Sequence, residues 1–254
     1  MKIIDQSHEI ISLPDNLLGM IEAAGRTCYK SENKIGCTKK WGELCEHPEV
    51  FPRNKINQGC TYIECQYHSS QKFTKMLIKK GHTAMLEFCD ITVRFTTNRG
   101  NTHEMVRHRV GMSYAQESTR YVRYAGNMEF IKPVWCSNLV LGVHTINWVS
   151  QIGIRLEGQI NPELPPAENI WFWNQAIAER DYCSLLNCGW RPEQAREVLP
   201  NSLKTEIVVK GTLRAWMHML KLRTSPAAHP QFRALLKPLL EELKQRVPVV
   251  FDDI

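Results

Sequence analysis

The chain has 254 residues, of which 43% are apolar and 23% are charged, a composition ordinary for a globular protein with a sizeable core. Its 32 Lys and Arg residues exceed its 26 Asp and Glu residues only mildly, which suits small anionic ligands as well as nucleic acid. No apolar run approaches the length of a membrane span, and the N-terminus lacks the apolar core of a signal peptide, so we expect a cytoplasmic protein without a membrane partner.

The nine cysteines are scattered along the chain and form none of the C-x-x-C pairs common in zinc and redox sites. This spacing favours a reduced chain with no structural metal. One alternative stays open, because Cys45 and His47 could join Cys37 or Cys60 in a zinc site.

The first half of the chain predicts two helices and a strand. Residues 14–31 place apolar side chains at helical spacing, and residues 69–80 form a second helix that ends at Gly81. Residues 32–66 between them are polar and irregular, with room for one short helix. From Cys89 to Thr96 apolar and polar residues alternate, which is typical of a half-buried strand.

A third helix is predicted at 102–109, after a turn at Arg99 and Gly100, and its polar side would carry Glu104, Arg107 and His108. The residues that follow it are predicted to enter a loop. The later predictions, in chain order, are a strand at 128–131, a poorly defined stretch to 165, a helix at 166–187, a short helix from Pro192 halted by Pro200, a strand at 203–209, a helix at 211–223, and a last helix that begins at Pro230 and kinks at Pro238. These elements predict a single α+β domain in which helices pack a β-sheet.

The helix predicted at 211–223 carries an arginine on its apolar side. Its apolar stripe consists of Leu213, Trp216, Met217 and Leu220, and Arg223 falls where the stripe should continue. Such an arginine either binds the last carbonyls of the helix as a terminal cation or lies against an anionic ligand.

The most informative stretch runs from Arg107 to Tyr124 and combines arginines, serines and tyrosines with a single acid, Glu117. Fixed cations, hydroxyl donors and aromatic faces are the groups that hold phosphates and flat heterocycles. The same composition also fits a solvated basic face or a strip that binds nucleic acid through its phosphates.

The order of residues in this stretch closely resembles the signature of the flavin-dependent thymidylate synthases, R-H-R-x-x-S-x-N-x-x-S-x-R. The matched positions are Arg107, His108, Arg109, Ser113, Ser118 and Arg120. Two departures are visible: one extra residue lies at 110–112, and Ala115 stands where the family usually has asparagine. A motif of this length is far more specific than a short glycine-rich pattern.

The resemblance continues through three further blocks, in the family's order. G-H-T-A-M-L-E-F at 81–88 resembles the block whose histidine, here His82, is associated with flavin and folate. A-R-E-V-L-P resembles the block that supplies a nucleotide-binding arginine, here Arg196. T-L-R-A-W-M-H-M-L-K-L-R at 212–223 resembles the block that contacts flavin and places an arginine, here Arg223, under the pyrimidine.

The resemblance implies a role for each matched residue. The residues expected to contact FAD are His82, Arg107, His108, Arg109, Gln116, Thr212, Leu213, Arg214 and His218. The residues expected to bind dUMP are Glu104, Arg107, Gln116, Glu117, Ser118, Thr119, Arg120, Arg196 and Arg223. Ser118 and Arg120 would hold the phosphate, from a neighbouring subunit, and Arg223 would be the catalytic residue.

The activity implied is a thymidylate synthase that makes dTMP from dUMP, with methylene-tetrahydrofolate as carbon donor and NADPH as reductant. The subunits are expected to form a homotetramer with shared active sites. In this family arginine polarises the uracil and flavin supplies the redox chemistry, so neither a cysteine nor Ser118 is expected to act as a nucleophile. Two alternatives remain: a methylase or hydroxymethylase of another pyrimidine nucleotide, and a non-enzymatic nucleic-acid-binding protein.

Overall fold

A computed structural model of the protein describes residues 1–36, 69–124, 126, 128–146, 164–247 and 249–254. Most of the stretch predicted as irregular lies outside the described residues. So does the alternative zinc site, which would use Cys37, Cys45, His47 and Cys60. None of the helices in the described ranges is long and apolar enough to cross a membrane.

Helices and strands are mixed along the described chain, which confirms the predicted α+β class. The helices are α1 (Leu17–Tyr29), α2 (Ser69–Lys79), α3 (Arg99–Met105), α4 (Pro166–Asn187), α5 (Pro192–Ala195), α6 (Leu213–Arg223) and α7 (Pro230–Arg246). The strands are β1 (Lys2–Ile4), β2 (Ser7–Ser12), β3 (Asp90–Asn98), β4 (Met112–Gln116), β5 (Glu129–Ile131), β6 (Gly142–Val143) and β7 (Lys204–Thr212). Short 3₁₀ turns cover Glu32–Lys34, Thr83–Phe88 and Arg196–Val198.

The described strands form two sheets. In the three-stranded sheet the order is β5-β1-β6, with β1 parallel to β5 and antiparallel to β6. Its register places Ile3 opposite Phe130, and both side chains are fully buried. The four-stranded sheet has the order β2-β3-β7-β4.

The chain divides into two compact units, and each draws on three separate stretches of sequence. Unit 1 consists of Met1–His8, Arg94–Arg107 and Tyr114–Val208; unit 2 consists of Glu9–Val93, His108–Ser113 and Val209–Ile254. The core of unit 1 contains Phe130, Tyr182 and Leu203. In unit 2, α1 packs on α2 and α6 packs on α7, and the buried indole of Trp216 donates from Nε1 to the Ile91 carbonyl over 3.1 Å.

The helix predicted at 102–109 is misplaced. The Asn98 side chain accepts the backbone N–H of Asn101 and so starts α3 earlier. The helix ends at Met105, so Arg107 and His108 lie beyond it rather than on its polar side. Gly111 follows with a φ of 70°, a left-handed conformation that no helix can contain.

The loop predicted after this helix contains a strand, β4. Side-chain exposure alternates along it, with Ser113 and Ala115 more exposed than their neighbours. Small or polar residues alternate with larger ones in S-Y-A-Q, which is typical of a strand, but the pattern is short and lies between basic residues that favour a loop prediction. The strand predicted at 203–209 continues to Thr212, so the following helix starts at Leu213 and not at residue 211.

The helix predicted at 166–187 is confirmed with the same bounds, and proline at its first position and Gly189 just beyond its end explain why. Besides β4, three strands in the described part of the chain were not predicted: β1, β2 and β6. The first two lie at the start of the chain, and β6 has only two residues, too few to form a pattern.

Candidate active site

In unit 2 the loop after α3 is held against the start of α6. The backbone N–H of Thr212 donates to the Gly111 carbonyl over 3.0 Å. A Cβ added at Gly111 would lie 2.8 Å from the Thr212 hydroxyl oxygen, so glycine is required for this approach. The extra residue at 110–112 therefore lies where the chain makes a left-handed turn beside the helix.

Thr212 begins α6 by accepting the backbone N–H of Ala215 with its hydroxyl oxygen, over 3.2 Å. This helix carries three cationic or imidazole residues of the predicted site. Arg214 and His218 are four residues apart on an exposed face, and Arg223 is the last residue of the helix.

His108, His218 and Arg223 come together, and we refer to them as the His108 cluster. The Arg223 Nε donates to His108 Nε2 over 2.9 Å. The two imidazole rings meet edge to face with their centroids 6.0 Å apart. The Arg223 guanidinium also lies over the Phe232 ring, with its Cζ 5.4 Å from the ring centroid.

This contact fixes the protonation of His108. Because Nε2 accepts a hydrogen bond, the imidazole must be neutral with its proton on Nδ1. Partial burial, followed by the charges of Arg223 and His218, lowers the pKa of His108 from 6.5 to about 4. A neutral acceptor orients the guanidinium without placing a negative charge beside it.

Two more of the predicted flavin residues in unit 2 have partners that sequence reasoning missed. His82 precedes a 3₁₀ turn, and its Nδ1 lies 2.6 Å from the Tyr29 hydroxyl. Arg214 Nη1 donates to Glu87 Oε1 over 2.6 Å, with about half of each side chain exposed. An exposed ion pair of this kind contributes little free energy, so Arg214 can exchange its carboxylate partner for a phosphate.

In unit 1 the chain leaves β4 and forms a tight turn, which we call the Ser118 turn and define as residues 118–123. The Ser118 carbonyl accepts the backbone N–H groups of Tyr121 and Val122, over 3.2 and 3.0 Å. Its hydroxyl oxygen accepts the N–H of Arg120 over 3.3 Å, which leaves the hydroxyl proton for a ligand. Thr119 is buried, whereas Arg120 and Arg123 are exposed.

The other nucleotide residues predicted in unit 1 have varied surroundings. The Gln116 amide donates to the hydroxyls of Thr102 and Thr205, over 3.0 and 3.2 Å, which fixes it within the unit. Arg107 is exposed just beyond α3. Arg196 is partly exposed, and its Nε lies 3.6 Å from the neighbouring carboxylate of Glu197.

The donor set fits a flavin dinucleotide. A pyrophosphate requires cations, which Arg109 and Arg214 offer at the exposed surface of unit 2. Histidine rings such as those of His82 and His218 offer faces and N–H groups for a flat heterocycle. Within the described ranges, no group of three or more His, Cys, Asp and Glu side chains is placed to hold a metal ion.

The sequence model of the family described as "Thymidylate synthase complementing protein" matches residues 9–249 of this chain. The chain belongs to this family. The matched range includes most of each unit, with the His108 cluster and the Ser118 turn. It confirms the resemblance found in the signature.

Members of the family from several bacteria are similar over most of their length. The flavin-dependent thymidylate synthase of Corynebacterium efficiens is 29% identical over 241 residues, which cover 92% of this chain and 78% of that protein. The flavin-dependent thymidylate synthase of Mycolicibacterium vanbaalenii is 28% identical, covering 94% of this chain and 80% of the relative. That of Mycobacterium tuberculosis is 27% identical, covering 92% and 78%.

Solved structures share the fold. A UMP/dUMP methylase, PolB from Streptomyces cacaoi, bound with 5-Br UMP, superposes with a TM-score of 0.66 at 18% identity, covering 99% of this chain and 95% of that one. Its complex with 5-Br dUMP gives the same TM-score at 19% identity, covering 99% and 96%. At this identity the likeness establishes the family's fold for this chain and nothing finer.

Proposed function

We propose that this protein is an FAD-dependent thymidylate synthase, which makes dTMP from dUMP with methylene-tetrahydrofolate as carbon donor and NADPH as reductant. The observation that carries the proposal is the His108–Arg223 contact within a chain of this family. A neutral acceptor orients this guanidinium at the end of α6, and a guanidinium is a permanently charged, planar group of donors. That is the group needed to polarise a uracil ring.

In this proposal the flavin lies against the residues of unit 2. Arg109 and Arg214 would bind its phosphates, while His82, His108, Thr212, Leu213 and His218 would surround the remainder. The resemblance assigns Arg107 and Gln116 to the flavin as well. Bound flavin supplies the hydride chemistry that no amino acid side chain can supply. The protein binds and orients the two reactants and excludes water from them.

The pyrimidine nucleotide would be bound by cations and by the Ser118 turn. Ser118 and Arg120 of a neighbouring subunit hold its phosphate, Thr119 shapes the turn, and Arg196 contributes a further cation. Arg223 lies against the uracil, where a fixed guanidinium stabilises negative charge as it develops on the ring. We propose a homotetramer with active sites shared between subunits, in which the whole chain acts as a single domain.

The first test is cofactor content. We expect the purified protein to be yellow, with an FAD absorbance spectrum that changes when dUMP is added, and we expect chelators to leave activity intact. A colourless preparation whose spectrum does not respond to added FAD would contradict the proposal and favour the nucleic-acid-binding alternative. Product analysis with dUMP, UMP and dCMP then separates a thymidylate synthase from a modifier of another pyrimidine nucleotide.

The second test concerns nucleophiles. Burial and then the charge of Asp90 raise the pKa of Cys89 to about 11, so its thiol stays protonated. Because the proposed chemistry uses flavin and arginine rather than a protein nucleophile, we expect mass spectrometry of trapped turnover to find no adduct between the pyrimidine and a cysteine or Ser118. Ser118→Ala should chiefly weaken dUMP binding, because a hydrogen bond to a charged group contributes about 1.5–3 kcal/mol. Loss of all turnover at saturating dUMP would show that Ser118 takes part in the chemistry.

A further inference from the structure

Glu117 stands immediately before the Ser118 turn, and every one of its polar groups has a partner within unit 1. Its backbone N–H donates to the Glu206 carbonyl over 2.9 Å. Its Oε2 accepts the Glu206 N–H over 3.2 Å and lies 3.5 Å from Lys204 Nζ. Its own carbonyl accepts a hydrogen bond from Arg99 Nη2 over 3.2 Å. The residue is therefore fastened to β7 by its side chain as well as by its backbone.

The far end of the turn is fastened to the same carboxylate. Tyr124 follows the turn directly, and its hydroxyl donates to Glu117 Oε1 over 2.7 Å. The Tyr124 ring meets the Tyr182 ring edge to face, with centroids 5.9 Å apart. The hydrogen bond between Tyr124 and Glu117 therefore joins the residues on either side of the turn. Because Tyr182 lies in the core of unit 1, the ring contact also attaches the turn to that core.

Burial and the neighbouring charges keep the two side chains that face Glu117 protonated. Burial, and then the hydrogen bond and charge of Glu117, raise the pKa of Tyr124, which therefore remains a donor. Burial acts to lower the pKa of Lys204, but its hydrogen bond to Glu206 and the nearby acids outweigh burial and raise the pKa. A protonated tyrosine and a charged lysine thus face the Glu117 carboxylate.

We propose that Glu117 and Tyr124 form a clasp that holds the Ser118 turn in the shape that binds the nucleotide phosphate. Glu117 is then a positioning residue, whereas the resemblance implies that it binds dUMP. A carboxylate beside a phosphate dianion weakens binding by repulsion, and its contacts with Tyr124 and Lys204 reduce that repulsion. This inference rests on the proposed function, because it takes the ligand of the turn to be dUMP.

The first arm of the test measures how readily trypsin cleaves the Ser118 turn in the absence of any ligand. Trypsin cleaves after arginine, and Arg120 and Arg123 are both exposed on the turn. We expect Tyr124→Phe, which removes only the hydroxyl, to raise the rate of cleavage at these two positions roughly 10-fold while the melting temperature changes little. Unchanged cleavage would overturn the clasp, whatever the protein binds.

The second arm measures dUMP binding in a double-mutant cycle. Tyr124→Phe and Glu117→Ala should each raise the Kd and KM for dUMP roughly 10-fold and leave kcat and FAD content near those of the parent. Their effects on dUMP binding should not be additive in the double variant, because both substitutions break the same hydrogen bond. Glu117→Gln, which keeps one acceptor, should restore part of the affinity. If Tyr124→Phe leaves dUMP binding unchanged while Glu117→Ala weakens it, Glu117 touches the nucleotide itself and the proposal is wrong.

Glu168→Gln is the matched control. Its buried carboxylate accepts the backbone N–H groups of Ser137 and Asn138, each over 3.1 Å, and so organises a different segment of unit 1. We expect this variant to lose stability without any change in cleavage at the turn or in the KM for dUMP. A parent protein that binds no dUMP would refute the proposed function, whereas the trypsin arm would still decide for or against the clasp.

Discussion

Replacing Arg223 by alanine should lower dTMP formation by roughly 10²-fold or more, even with dUMP in excess. We expect a loss of this size because the variant lacks the positively charged donor that stabilises negative charge as it develops on the uracil ring. The neutral His108 acceptor adds no opposing charge beside that donor. Arg223→Lys should recover little, since an ammonium has neither the planar donor set nor an Nε–H for His108. The measurement is kcat at saturating dUMP, with FAD content and melting temperature determined for the same preparations.

The competing interpretation of Arg223 is structural, because it is the last residue of α6. A cation at a helix C-terminus contributes up to about 1 kcal/mol of stability, and its loss would leave turnover intact. Arg246 provides a matched control: it is the last residue of α7, and its Nη1 donates to Glu242 Oε1 over 2.9 Å. Arg246→Ala should show the helix-end effect alone. If Arg223→Ala behaves in the same way, its catalytic role is refuted.

Elements with local signals are predictable from the sequence. Proline and glycine at its two ends mark α4, and the alternation after Cys89 marks β3. The end of α3 is mispredicted because a helical residue pattern continues through the basic residues, whereas the helix itself ends at Met105. The apolar stripe of α6 singles out Arg223 from the residue pattern alone, because an arginine in that position requires an explanation.

The partners of the site residues could not be predicted in the same way. Tyr29 and His82 are 53 residues apart in sequence, and Lys204 and Glu117 are 87 apart, so no local pattern connects them. Tyr124 lies within the informative stretch, but its bond to Glu117 depends on a turn that propensities alone do not specify. Family signatures identify residue types at a site, whereas the hydrogen bonds that orient them depend on the fold.

The remaining prediction concerns His108, whose protonation should make the free energy of unfolding depend on pH. The folded protein holds its pKa at about 4 against 6.5 in the unfolded chain, so the unfolded chain binds the proton first as the pH falls. The stability contributed by the neutral imidazole is complete above pH 6.5 and is lost progressively between pH 6.5 and pH 4. We expect the free energy of unfolding of the parent to fall by roughly 1–2 kcal/mol more than that of His108→Gln between about pH 7 and about pH 5.

His108→Gln also distinguishes two proposed roles of His108, which are to orient Arg223 and to contact the flavin. Glutamine can accept the Arg223 Nε–H with its carbonyl oxygen but does not titrate, so His108→Gln should retain much more activity at neutral pH than His108→Ala when both are loaded with FAD. The Arg223 and His218 charges are the ones that face His108 and lower its pKa after burial. Arg223→Ala should therefore raise this pKa and reduce the difference in acid sensitivity between histidine and glutamine at position 108. If His108→Gln and His108→Ala are equally inactive at equal FAD content, the imidazole serves the flavin rather than the arginine, and the orientation of Arg223 must come from its packing on Phe232.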